Sequence, residues 1–208
     1  MTGWTADRSG VTVSTSRGDY LADRLIVTAG PWAAELLGDL NLPLQVGRRV
    51  NGYFRPSRPD LWSLEHGAPD FLLDVSEGSF YGMPAVGDIG LKIGLSAGET
   101  TTARTIRRTV EPAEIDLLRD VLDTYLPGAS GEEIRHITCM CTYTPDREFI
   151  VDRHPEHERV TIGCGFSGRG YKFAPVIGEI LADLALAGAT PHEIGFLAAS
   201  RFATATAV

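Results

Sequence analysis

The chain has 208 residues, 43% hydrophobic and 22% charged, the composition of a globular protein large enough to bury a core, with nothing to suggest disorder. A formal net charge of −8 without any long basic run argues against a nucleic-acid partner. No stretch approaches a membrane span, the first ten residues lack the apolar core of a signal peptide, and three cysteines make no disulfide framework, so a cytoplasmic protein is expected.

Residues 11–16 alternate as a strand, and Arg17-Gly18-Asp19 carries turn chemistry. Residues 25–28 read as a buried strand ending in Ala29-Gly30. Pro31 then opens a short helix with Trp32, Leu36, Leu37 and Leu40 available for one face. A strand that enters small residues and then a helix is a typical ligand edge of an α/β unit. Residues 41–44 separate this pattern from the strand-like run Gln45–Phe54, and Pro56 and Pro59 mark a loop.

Phe71–Val75 and residues 79–83 and 89–95 read as successive strands of an antiparallel meander, with turns at Glu77-Gly78 and Gly87-Asp88. In the third of them alternation puts Gly90, Lys92, Gly94 and Ser96 on one face and Ile89, Leu91, Ile93 and Leu95 on the other. Flanking glycines leave open space around the Lys92 ammonium, although a solvated surface lysine is the simpler reading of that residue alone. Residues 109–125 form an amphipathic helix with Ile115, Leu118, Leu122 and Tyr125 on one face, stopped by Pro127-Gly128.

The strand at 134–143 places Arg135, Ile137, Cys139, Cys141 and Tyr143 on one face, and His136, Thr138, Met140 and Thr142 on the other. A cysteine sharing a face with an arginine is placed to be partly thiolate, whereas a buried free thiol is usually inert. Gly165-Phe-Ser-Gly-Arg-Gly-Tyr-Lys172 then lets backbone approach a flat ligand. It feeds an apolar helix whose N-terminus suits negative charge, with Val176, Ile177, Ile180, Leu181 and Leu184 as its stripe. His154-Pro-Glu-His157 and Asp152 have metal-ligand chemistry, but a Pro-centred turn between strands explains them without an ion, and no metal is expected.

The run C-M-x-T-x-T-P-D-x-x-F-I-x-D-x-H-P-E-H from Cys139 to His157, followed by G-F-S-G-x-G-x-K-F from Gly165, resembles the monomeric sarcosine oxidase and N-methyltryptophan oxidase family of FAD-dependent amine oxidases. Leu25-Ile-Val-Thr-Ala-Gly-Pro-Trp32 and Gly90-Leu-Lys-Ile-Gly94 fit the same family in the same order, and the likeness covers only its C-terminal part. The resemblance implies FAD, tethered through an 8α-thioether to Cys139, with Lys92 assisting oxygen, Tyr81 in the active site and Lys172 holding a substrate carboxylate. Gly30, Met140, Gly168, Arg169 and Gly170 join Cys139 and Lys172 as implied cofactor contacts, and Ser96 and Cys141 as implied substrate contacts. It implies further that the sulfur of Cys139, the Lys92 ammonium and the glycine bend gather around one flavin ring.

Ser96 and Arg169 stand where the family carries histidines and Cys141 where it carries a tyrosine, so an amine other than sarcosine is expected. The implied fold is α+β: part of an FAD-binding domain in 1–42, a largely antiparallel substrate domain in 43–133, and a return to the FAD-binding domain in 134–208. No G-x-G-x-x-G precedes Val11, so the Rossmann βαβ half is expected either from a companion chain or to be lost by truncation. The expected partners are a small-molecule amine and O2. The alternatives are a non-catalytic remnant or subunit that binds no flavin alone, and a thiol- or metal-dependent protein using Cys139, Cys141, Cys164 and the histidines.

Overall fold

The computed structural model describes residues 1–96 and 98–202. From the N-terminus come β1 (Gly3–Ala6), β2 (Val11–Thr15), β3 (Gly18–Ala22), β4 (Leu25–Val27) and the one-turn helix α1 (Ala33–Leu36). The middle supplies β5 (Gln45–Phe54), α2 (Pro59–Trp62), β6 (Phe71–Val75), β7 (Gly78–Met83), β8 (Leu91–Leu95), β9 (Thr100–Thr101) and α3 (Pro112–Tyr125). Then follow β10 (Glu133–Tyr143), β11 (Ile150–Arg153), β12 (Val160–Cys164) and α4 (Ala174–Leu186). The elements are mixed α and β with antiparallel sheets, and they divide into two compact units, Gly47–Met140 and the remainder on either side of it. None of the described helices is long and apolar enough to cross a membrane.

The unit Gly47–Met140 is built on a sheet of order β10-β5-β8-β7-β6, with β9 pairing β5. Strand alternation sends Val50, Phe54, Phe80, Leu91 and Ile93 to one face, where Ile115, Leu118 and Leu122 of α3 cover them. Each such side chain contributes about 1.5–3 kcal/mol when buried. Helix α3 starts at Pro112, three residues later than its acidic and apolar pattern suggests. The residue before a proline is held out of helical geometry, and Glu111 sits extended at ψ 147° as the N-cap of a capping box with Glu114. Likewise β8 begins at Leu91 because Gly90, at φ 81°, breaks the strand before it.

Glu114 has a second partner. Arg48, only 3% exposed, places Nη1 2.5 Å from Glu114 Oε1 and donates from Nε to the Arg107 carbonyl and from Nη2 to the Thr109 carbonyl. Burial pushes the Glu114 carboxyl up, but hydrogen bonds from Arg48, the Glu111 amide and Arg107 outweigh it and bring it down to about 2. A carboxyl lowered on folding stabilises above its unfolded pKa and loses that contribution as pH falls through its folded one. This unit is therefore expected to lose on the order of 3 kcal/mol between about pH 4.5 and pH 2. Acid unfolding of Glu114→Gln, followed by circular dichroism, should show that pH dependence largely gone and lower stability at pH 7.

The other unit carries a β1-β2-β3 antiparallel meander and a β11-β12-β4 sheet in which β12 and β4 run parallel. Ile177, Ile180, Leu181 and Leu184 of α4 pack with Phe149 and Val151 on one side of the second sheet. Ile150, Val160 and Ile162 face the other side with Val11, Val27, Ala33 and Leu37. The helix expected after Pro31 is broken into short turns: Gly30 has φ 53°, α1 lasts four residues, and Asn41 is left-handed at φ 45°.

Candidate active site

The face of the Gly47–Met140 sheet opposite α3 carries most of the chemistry. Register places Asn51 of β5 opposite Gly94 of β8, and Gly94 opposite Tyr81 of β7, so the three residues form one row across three strands. Gly94 has no side chain to separate its neighbours, and the Tyr81 hydroxyl donates to Asn51 Oδ1 across it at 2.7 Å. Asn51 Nδ2 in turn lies 3.4 Å from Sγ of Cys139, on β10 along the other side of β5. Lys92 sits one rung along, between Tyr53 and Met83, with Nζ 5.4 Å from the centre of the Tyr81 ring, and Arg49 Cζ lies 5.6 Å from that centre. Two cations over one phenol ring are each favourable against its negative face.

A β-carbon at position 94 would fall 2.5 Å from Asn51 Oδ1 and 2.8 Å from the Tyr81 hydroxyl. Gly94→Ala is therefore expected to break the Tyr81–Asn51 bond and to cost about 1–3 kcal/mol, read from urea unfolding of the variant. Ser96 follows β8 half-buried, its N–H bonded to the Ser79 carbonyl at 2.7 Å. Met140 is half-buried on β10 beside Cys139, on the opposite face by alternation. The Arg135 guanidinium lies 4.4 Å over the Tyr53 ring, and the amide of Asn51 faces the Cys139 sulfur. Asn51 was not legible as a site residue, because an amide does not titrate and only the strand register puts it between Tyr81 and Cys139.

In the other unit, β4 and β12 are parallel neighbours, with Val27 opposite Ile162, so their carboxyl ends lie side by side. Gly30 leaves the first end at φ 53°, with no atom within 4 Å of where a β-carbon would stand. The glycine turn leaves the second. Gly165, at φ 63°, would place a β-carbon 2.6 Å from Thr144 Cγ2, and one on Gly170 would meet Phe166 Cβ at 2.7 Å. Paired strand ends of this kind are where α/β sheets bind ligands, and small residues there fit a group that needs close backbone approach.

The turn does not run straight into α4. A 3-10 turn, Gly170–Phe173, intervenes, and it holds Lys172, exposed, with Nζ 5.9 Å from the Phe173 ring. Gly168 is exposed at φ 77°, and Arg169 donates to the Arg147 carbonyl. Cys141 is half-buried on β10, two residues beyond Cys139. Cys164 is fully buried, and burial pushes its thiol up to about 12, which makes it an inert packing residue.

The carboxylate beside the two histidines is Asp39 and not Asp152. Asp39, His154 and His157 bring ligand atoms within 4.8 Å of one another. Asp152 instead accepts the Ala199 N–H at 2.9 Å. His154 is buried, and its Nδ1 accepts the Glu156 N–H at 3.3 Å, which leaves the neutral ring's proton on Nε2. That nitrogen lies 2.9 Å from Asp39 Oδ2, close but not aligned as a hydrogen bond. Desolvation lowers the His154 pKa despite the opposing carboxylate. Trp4 packs edge-on against both rings and donates from Nε1 to the Leu36 carbonyl at 2.8 Å, so the cluster ties β1 and the α1 region to the β11–β12 turn. A cavity of about 390 Å³ over β1–β3 contains none of the candidate residues.

The sequence matches the FAD dependent oxidoreductase family (DAO) over residues 2–184, and the chain belongs to that family. It is 43% identical over 196 residues to monomeric sarcosine oxidase from Bacillus sp. (strain B-0618), covering 92% of this chain and 50% of that protein. It is 37% identical over 199 residues to N-methyl-L-tryptophan oxidase from Salmonella heidelberg (strain SL476), covering 89% and 49%. The fold is shared with NikD, an unusual amino acid oxidase essential for nikkomycin biosynthesis, at TM-score 0.76 and 23% identity, over 95% of this chain and 53% of that one. The chain spans about half the length of the curated relatives it matches.

Proposed function

We propose that the protein is part of an FAD-dependent amine oxidase that oxidises the C–N bond of a secondary amine or N-methyl amino acid, giving an imine and hydrogen peroxide from O2. The observation that carries this reading is the sheet face on which Lys92, Tyr81 and Cys139 lie around Gly94 and Asn51. Sarcosine and N-methyl-L-tryptophan, named for the relatives, are both secondary amines with a carboxylate, which supports the substrate class.

Bound FAD would supply acceptance of two electrons from the amine and their delivery to oxygen. For its part, Cys139 would tether the cofactor. Lys92 would hold a fixed positive charge where reducing oxygen gains negative charge, and Tyr81 would border the substrate. Lys172 would bind the substrate carboxylate, and Ser96 and Cys141 would shape the space around the amine. Gly30, Gly168, Arg169 and Gly170 would give the cofactor close backbone approach, with Met140 beside the tether.

The seat for the dinucleotide would come from a companion segment or chain. Strand β4 ends the β11-β12-β4 order, and no named strand among the described residues pairs its outer side. Parallel strands of this kind normally sit inside a larger covered sheet. That open side also favours a second reading, a remnant or subunit that binds no flavin by itself.

Expressing the chain with its native upstream coding sequence separates the two. The oxidase reading predicts a yellow protein that bleaches anaerobically with an N-methyl amino acid or other secondary amine and then releases peroxide in air. A colourless protein, or a yellow one that no member of such a panel bleaches, would contradict it.

A further inference from the structure

We propose that Asn51 is a positioning residue that holds the Cys139 sulfur as a hydrogen-bond acceptor and so favours its reactive thiolate. Asn51 is 2% exposed, and a buried amide is costly unless both of its ends are bonded. Its oxygen takes the Tyr81 hydroxyl at 2.7 Å, which leaves the NH2 end to face Sγ at 3.4 Å. Donation into the amide oxygen polarises the amide and strengthens its N–H as a donor, so the phenol reaches the thiol through the amide. Gly94 makes this possible, because any side chain there would occupy the space where Oδ1 and the phenol meet.

The charged groups nearby have ring and ion-pair contacts. Lys92 and Arg49 lie over the Tyr81 ring and Arg135 over the Tyr53 ring. His136 is paired with Glu133, and Arg107 with Glu99 and Glu114. Thr138, next to the cysteine, bonds the Arg108 carbonyl. The Asn51 amide lies against the sulfur itself at 3.4 Å.

The biological meaning of this arrangement rests on Cys139 as the flavin-bearing residue, but its chemistry can be measured without flavin. In the 208-residue chain purified free of flavin, iodoacetamide alkylation of Cys139 is followed against pH by mass spectrometry of the tryptic peptide 136–147, with Cys141 in the same peptide as internal control. Asn51→Val is expected to slow Cys139 alkylation near pH 7 by about 10-fold and to move its pH midpoint upward, leaving Cys141 unchanged. Asn51→Asp should slow it further. Tyr81→Phe, which removes only a hydroxyl and tests the same relay should the Asn51 variants fold poorly, should slow it by about 2- to 3-fold.

Unchanged Cys139 profiles in Asn51→Val and Tyr81→Phe would overturn the proposal. So would faster alkylation, because it would mean that the amide oxygen faces the sulfur and holds it as a thiol. A normal Asn51 effect in a protein whose flavin is absent or attached elsewhere would remove the proposed function and leave this inference standing. A flavin on Cys139 with no Asn51 effect would do the reverse.

Discussion

Replacing Cys139 by alanine is expected to abolish covalent flavin retention completely, while Cys141→Ala and Cys164→Ala retain it. A thioether needs a nucleophilic sulfur, and the three cysteines have different surroundings. Cys164 is fully buried with its thiol pushed up to about 12, which leaves almost no thiolate at neutral pH. Cys141 is half-buried two residues further along the same strand. Cys139 has the Asn51 amide against its sulfur, on the face that also bears Lys92. Flavin fluorescence remaining with acid-precipitated protein checks this: background in Cys139→Ala, and wild-type levels in the other two variants. Retention in Cys139→Ala together with loss in Cys141→Ala would put the tether two residues further along β10.

Lys92→Met is expected to slow the reaction of the reduced enzyme with oxygen by about 10²–10³-fold, with much less effect on anaerobic reduction by substrate. The lysine is half-buried between Tyr53 and Met83, and its ammonium is held 5.4 Å from the Tyr81 ring centre, so the charge is fixed in place. A fixed charge stabilises an oxygen that gains an electron without having to reorganise at that moment. Lys92→Arg keeps the charge and should recover part of the rate, whereas Met keeps only the apolar stem. Stopped-flow measurement of the two half-reactions separates these roles. Equal losses in both would reduce Lys92 to a packing residue of the sheet.

Alternation alone was enough to place Lys92, Gly94 and Ser96 opposite Leu91, Ile93 and Leu95, and α3 covers that apolar set. Register was not available from a single strand. Asn51 acquires its role only because β5, β8 and β7 align it with Gly94 and Tyr81, and Gln-Val-Gly-Arg-Arg-Val-Asn-Gly-Tyr-Phe shows no clean period of two. Strand β3 escaped for a related reason: all five of its residues are exposed, so its sequence carries no buried face to betray it. The carboxylate beside the His154 ring is Asp39, remote in sequence, and not the nearby Asp152. The helix after Pro31 had the right apolar letters, but the left-handed Gly30 and Asn41 confine it to short turns. Local chemistry was legible wherever one element carried it. Pairings between elements were not.

The most direct measurement is the mass of the tryptic peptide 136–147 from protein expressed with its native upstream coding sequence. This peptide is expected to carry the mass of FAD less two hydrogens, since the thioether replaces an S–H and a C–H bond, with fragment ions that assign the addition to Cys139. An unmodified peptide from a protein that nevertheless holds flavin, or an addition assigned to Cys141, would contradict it.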